Sequence, residues 1–360
     1  MSLRASLWFG RTIRDSDLRH DANIFTLLRW LLASTVMFSH SFAVTGERNL
    51  DPTLVALGFP ISSLAVQLFF ALSGFLVTGS IIKRGLRDFV VARLLRLVPG
   101  LWFMLLVTAM LLAIAFYTGP IANLVTGPSL YRYVGSNALL VGGVYSIDGA
   151  FAANPLRGVI NGSLWTIPQE VRCYIALGLA GAVGLLASRW VVLVGLMIGI
   201  VLHLAVPSDA VPALTQLRGL AISFVFGVTA FMWRDRMFIA WPLALLVVAG
   251  AFFLPRSDIA LLAVRLSAAY AMLVAAFLVP ARLKRFSAAV PDYSYGIYIY
   301  AFPVQQAMVA LSVGTTPGTN LVAGFIVTLA FAAVSWHLIE KPGLGLKARW
   351  STPAPRSVRA

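Results

Sequence analysis

Ten apolar stretches, each close to 20 residues long, leave this 360-residue chain few ways to fold. They run over 24–45, 60–82, 99–118, 165–187, 190–206, 214–233, 238–254, 259–279, 292–312 and 320–339. About 20 apolar residues in a helix cross the hydrocarbon core of a bilayer, and a helix bonds all of its own backbone polar groups there. The expected fold is therefore all-α: a polytopic integral membrane helical bundle of about ten transmembrane helices. Ordinary soluble domains carry about 25% charged residues, against 11% here with 59% hydrophobic residues. The spans fill the chain, giving a 1–23 N-terminal tail, a 24–342 membrane domain and a 343–360 C-terminal tail. The fifth and seventh runs are short, and only Ser188 and Arg189 separate the fourth from the fifth.

Basic residues set the orientation. With the N-terminus cytoplasmic, twenty Lys and Arg fall on the inner side and four outside, Arg48, Arg132, Arg157 and Arg256. Arg29, Arg172, Arg218 and Arg265 fall within spans or at their edges. This asymmetry places both termini in the cytoplasm. The N-terminal segment has no small-residue cleavage site after a short apolar core, so it reads as a tail and not as a signal peptide. The formal charge of +15 is explained by orientation and by contact with anionic membrane lipid, without nucleic acid. Cys173 is the lone cysteine and the four histidines are scattered, so no metal is expected.

Within the first span, Arg29 and His40 are eleven residues apart. That spacing puts both on one helix face about 16 Å apart along the axis. Chance would supply about a quarter of one such pair from 24 Arg and 4 His. One reading makes Arg29 an interfacial anchor and His40 a residue of the opposite interface. The other makes them part of an inward polar track, because ionisable groups inside membrane helices line cavities or meet other helices.

Five further stretches bear on this choice. From Lys83 to Pro99, Phe89, Val90, Leu94, Leu97 and Val98 can share one face of a short interfacial helix, with Pro99 opening the third span. Arg93 and Arg96 beside it suit either anionic lipid or a polyphosphate ligand. The outer connection 119–163 suggests an acceptor surface, a cap or a mere connection; its sequon at Asn161 is assigned no glycan. Glu170, near the outer end of the fourth span, is placed to orient His40 or to pair with an Arg such as Arg218 or Arg265. Ser73 and Gly74 are read as small residues for close helix packing. At the end of the tenth span, Pro342 is expected to stop the helix, with Glu340 and Lys341 meeting water.

Taken together, the motifs resemble acyltransferase family 3, membrane O-acyltransferases that modify bacterial surface sugars and related acceptors. The similar features are Arg29 with His40, FFALSGFL at 69–76, RLLRLVP at 93–99, SLWTIPQEVRCY at 163–174, SYGIYIYAFP at 294–303 and IEKP at 339–342. The resemblance implies a multi-pass protein of the bacterial cytoplasmic (inner) membrane. It passes an acyl group, most often acetyl, from cytosolic acyl-CoA to a hydroxyl of a carbohydrate acceptor or its lipid-linked precursor. It further implies that His40 is the catalytic base or acyl carrier, with Glu170 supporting it. Arg29, Arg93, Arg96, Trp165 and Tyr298 would bind substrate, the two loop arginines meeting the CoA phosphates. No bound cofactor is expected, acyl-CoA being a donor substrate. Many relatives have a histidine two residues before the proline of the tyrosine-rich motif, where this chain has Ala301. No esterase-like domain is appended, so transfer would pass directly to the acceptor.

A transporter or flippase for a lipid-linked sugar or small anion could use the same intramembrane Arg, His and Glu. A purely structural role would leave those buried ionisable groups unexplained.

Overall fold

The computed structural model describes residues 10–207, 210 and 212–347, and helix falls on every one of the ten apolar runs. The helices are α1 (Phe25–Val44), α2 (Ile61–Val107), α3 (Pro128–Ala138), α4 (Thr166–Ala182), α5 (Arg189–Ala205) and α6 (Pro212–Met232). They continue with α7 (Trp241–Phe252), α8 (Asp258–Phe277), α9 (Ala281–Ala289), α10 (Ser294–Ala310) and α11 (Pro317–Ser335). Four helical stretches are long and apolar enough to cross a membrane: Phe25–Val44, Ile61–Ala115, Asp258–Phe277 and Pro317–Gly345. Arg189–Ala205, Gln216–Met232 and Trp241–Phe252 are apolar but shorter. Strand is confined to one two-residue antiparallel pair, Arg11↔Ile239 and Thr12↔Phe238, among the described residues. It ties the N-terminal segment to the bundle, and Ile13 is buried beside it. The described part of the N-terminal tail is thus packed on the membrane domain; residues 1–9 and 348–360 of the two tails lie outside the described residues.

The hub is α10, in which every residue from Ser294 to Met308 is buried between α1 and α11. A proline inside a helix removes one N–H and frees the carbonyl four residues earlier. Pro303 does this to Ile299, whose oxygen accepts a 2.8 Å bond from Asn161 Nδ2. The neighbouring Gln306 receives Asn154 on both its oxygens and donates to the carbonyls of Leu156 and Val159. The long outer connection is therefore bonded into the hub helix at its far end, and Asn161 is fully buried. A second close seam joins α2 to α6, where a Cβ on Gly74 would overlap the Phe224 carbonyl and one on Gly227 the Ala71 carbonyl. The packing expected of Gly74 is present.

Two expectations about α2 are corrected. Pro99 does not open a span: the helix restarts after Gly85 and runs unbroken through Pro99 to Val107. Gly85 marks the break because its φ of 81° and ψ of 173° is backbone that a side chain would strain. Nor do the apolar residues of this arm share one lipid-facing side. Phe89 and Leu97 are buried, Val90 and Leu94 are 42% and 49% exposed, and the arginines between them face the protein.

Candidate functional site

That inward arginine face is one wall of a cavity of about 610 Å³. Its mouth is cationic. Arg29 from α1, Arg93 and Arg96 from α2, and Lys341 and Lys347 after α11 line it against Asp292; among the described residues the one other carboxylate of the lining is Glu170, further in. Asp292, in the loop before α10, collects two of the guanidiniums on one oxygen, Arg96 at 2.8 Å and Arg29 at 2.9 Å. Its other oxygen accepts the Ser294 hydroxyl at 2.5 Å. Arg96 is further held between the rings of Tyr295 and Trp336, each 5.8 Å from its guanidinium carbon. Arg93 lies 5.8 Å over the Tyr174 ring, and its Nε, like that of Arg29, is buried with no hydrogen-bond partner among the described residues. At the rim, burial and the neighbouring Arg84 and Arg93 guanidiniums hold the Lys347 ammonium below its ordinary pKa. The mouth therefore has unspent donors and an excess of positive charge, which favours a polyanion.

Deeper in, the walls become apolar, with Val66, Phe69, Phe70, Leu72 and Leu76 from α2. One polar group interrupts them. Glu170 Oε1 accepts Tyr174 Oη at 2.5 Å and Ser73 Oγ at 3.1 Å, and the two hydroxyls are themselves 2.8 Å apart. Ser73, expected only to pack, belongs to this group. At the inner end Tyr298 Oη meets Thr166 Oγ1 at 2.7 Å.

The sequence-derived residues thus separate. Arg29, Arg93, Arg96, Glu170 and Tyr298 share one cavity. Trp165 and His40 are not among its lining residues; Trp165 packs by its backbone against Gly143. His40 stacks edge-on against Phe302, ring centres 5.1 Å apart, and its Nδ1 is buried without a hydrogen-bond partner among the described residues. Phe302 is one helical turn beyond Tyr298 on α10. Likewise Ser62 N bonds Ser39 Oγ beside His40, and the cavity lining on α2 starts one turn later at Val66. One layer of side chains, about 6 Å along each helix, separates the cavity from the imidazole.

Glu170 therefore does not orient His40; its helix position turns it toward Ser73 on α2. Nor does it pair with Arg218, which instead donates to the carbonyls of Leu202, His203, Val206 and Pro207 at the end of α5. Glu340 is not in water. It is 1% exposed, bonded to Ser335 at 2.9 Å and 3.9 Å from Arg96, because the chain widens into a π turn and stays helical through Pro342 to Gly345. Sequence reasoning missed Asp292 and Glu340 as partners of the mouth arginines. The available signal was scarcity: both are acids at span ends on the side crowded with basic residues.

The sequence pattern of the family described as "Acyltransferase domain" matches residues 23–337. The chain is 29% identical to an "O-acetyl transferase" of Shigella phage Sf6, over 89% of this chain and 96% of the relative. It is 28% identical to "Nodulation protein 10" of Rhizobium leguminosarum bv. viciae, over 90% and 94%. No solved structure matches it.

Proposed function

The chain belongs to the acyltransferase domain family, and on that premise we propose that it is an acyl-CoA-dependent O-acyltransferase of the bacterial inner membrane. In this reading it has ten spans and cytoplasmic termini, and it transfers an acetyl group to a hydroxyl of a cell-surface carbohydrate or its lipid-linked precursor. The observation that carries the donor assignment is the cavity's polarity gradient. Five cations ring the mouth and an apolar bore leads inward, which suits phosphates carried on a long uncharged arm. The basic residues of the mouth lie on the side that the charge asymmetry assigns to the cytosol.

Chemistry is assigned to His40, toward which the bore points. An acceptor hydroxyl has a pKa far above neutrality and attacks a thioester only as its proton is removed. His40 takes that proton while the oxygen bonds to the thioester carbonyl carbon. The tetrahedral adduct then collapses, the carbon–sulfur bond breaks, and the leaving thiolate recovers a proton. The acyl group must cross the Tyr298–Phe302 layer to reach this point. Transfer of label from radiolabelled acetyl-CoA by the purified protein in detergent tests the reading, and a carrier that only moves a solute would leave the thioester intact.

Arg93 gives a clean measure of donor binding, because it has no carboxylate within ion-pair distance among the described residues. Arg93→Gln is expected to weaken CoA binding by calorimetry about tenfold or more, the loss of one charge-assisted contact worth roughly 1.5 to 3 kcal/mol. Unchanged affinity in a folded variant would return Arg93 to a lipid-anchor role. For the topology, a reporter fused after Lys347 is expected in the cytoplasm and one within 119–163 outside. Finding both on the same side would overturn the ten-span arrangement.

A further inference from the structure

Between the membrane-spanning α8 and the buried α10, the short helix α9 leaves one side uncovered by the rest of the chain. At 100° per residue its side chains divide into two sets. Lys284, Ser287 and Ala288 turn inward, and α9 packs on the His20–Ala22 turn and on α1. Beyond its first residue, Arg282, Leu283, Arg285, Phe286 and Ala289 are exposed and cover less than half of the circumference. Read around that face the order is Arg285, Ala289, Arg282, Phe286, Leu283, so the cations take one edge and the large apolar groups the other. Phe286 is 59% exposed and Leu283 37%. In the neighbouring N-terminal segment the carboxylates are already paired, Asp17 with Arg11 at 2.5 Å and Asp21 with Arg19 at 3.6 Å.

Two tryptophans fix the level of α9. Trp241 Nε1 donates to the Leu278 carbonyl at 2.9 Å, just before the helix, and Trp30 Nε1 to the Pro291 carbonyl at 3.0 Å, just after it. Both indoles are half-buried. Tryptophan concentrates where hydrocarbon meets headgroups, so both ends of α9 are pinned at that level. A helix lying there places Phe286 and Leu283 where the acyl chains begin and Arg282 and Arg285 among the phosphates. The same segment is also a wall of the cavity, which Ala288, Ala289, Val290, Pro291 and Asp292 line.

We propose that α9 is an in-plane helix that binds anionic headgroups of the bilayer, and that this seat holds the 288–292 wall of the cavity in place. The occupant is lipid and not a soluble partner, because cations and apolar groups divide around the helix as headgroups and acyl chains divide across a leaflet. The inference needs the cavity wall only as geometry and nothing of the donor assignment.

The test uses the full-length protein in nanodiscs of phosphatidylcholine, alone or mixed with phosphatidylglycerol, and follows hydrogen exchange of backbone amides without CoA. With phosphatidylglycerol present, the amides of 281–292 should exchange about tenfold more slowly or better, the effect of two cations at an anionic surface. High salt should erase the gain by screening. Arg282→Gln combined with Arg285→Gln should remove the difference between the two lipids. Phe286→Ser keeps every charge, and with it the topology signal, so it serves if the double variant inserts wrongly; its 281–292 amides should exchange faster in both lipids. Equal exchange of 281–292 in the two discs overturns the proposal, whether the helix then lies in water or is held by apolar contact alone. So does an equal slowing of the outer connection 119–163, which would mean a general effect of the lipid on the bundle, and so does unchanged exchange in Phe286→Ser. Because no donor is present, failure of the donor assignment leaves these results as they are.

Discussion

His40→Ala is expected to abolish acyl transfer while leaving the protein inserted, folded and able to bind CoA. Loss of a general base typically costs about 10² to 10⁴ in rate. His40→Gln should behave alike, since its amide keeps polarity and size but accepts no proton. The structure makes the separation of binding from chemistry a specific expectation. The imidazole is absent from the cavity lining and meets Phe302 one turn beyond it, so its removal touches no residue of the cationic mouth. A histidine that only packed would show the opposite pattern, with a lower Tm or yield and a turnover number intact per folded molecule. Acylation at near wild-type rate by well-folded His40→Ala protein would sink the mechanism and reopen the transport reading.

The helical layout was legible in the sequence because hydrocarbon imposes it. A long apolar run has no stable alternative to a helix, and the ten runs match helices closely. What the runs do not contain is the way helices turn toward one another. Glu170 was placed on the right helix and near the right level, yet its partners are Ser73 and Tyr174, chosen by the rotation of α4 against α2. The loop arginines show the same limit. Arg93 and Arg96 were singled out by spacing, but an amphipathic pattern beside a membrane reads equally well with either face outward. It is the burial of Phe89 and Leu97, and the rings of Tyr174, Tyr295 and Trp336, that turn the cations in. Asp292 and Glu340 escaped notice because each looked like an ordinary charge at a helix end. Only the convergence of α1, α2, α10 and the end of α11 makes them counter-ions.

Asp292→Asn is expected to lower the stability of the unliganded protein and, at the same time, to enlarge the stabilisation that CoA provides. Among the described residues Asp292 is the single carboxylate that both Arg29 and Arg96 touch within 3 Å. Removing one partner of a buried pair leaves uncompensated charge and costs roughly 3 to 5 kcal/mol when burial is complete. Here the side chains of Arg29, Arg96 and Asp292 keep 25%, 18% and 16% exposure toward the cavity, so the loss should fall below that range. Asn keeps the shape and can still accept a hydrogen bond, which makes the effect one of charge. The second half of the prediction follows from the same count. With its resident anion gone, the mouth has donors and positive charge that only a ligand's phosphates can satisfy, so the Tm rise at saturating CoA should exceed that of the native protein. Adding Arg29→Gln to Asp292→Asn should return part of the lost stability by restoring the charge balance. An unchanged Tm for Asp292→Asn, or a CoA-induced rise smaller than in the native protein, would mean that Asp292 does not stand where ligand phosphates would, and the donor mouth must then be sought elsewhere on the inner face.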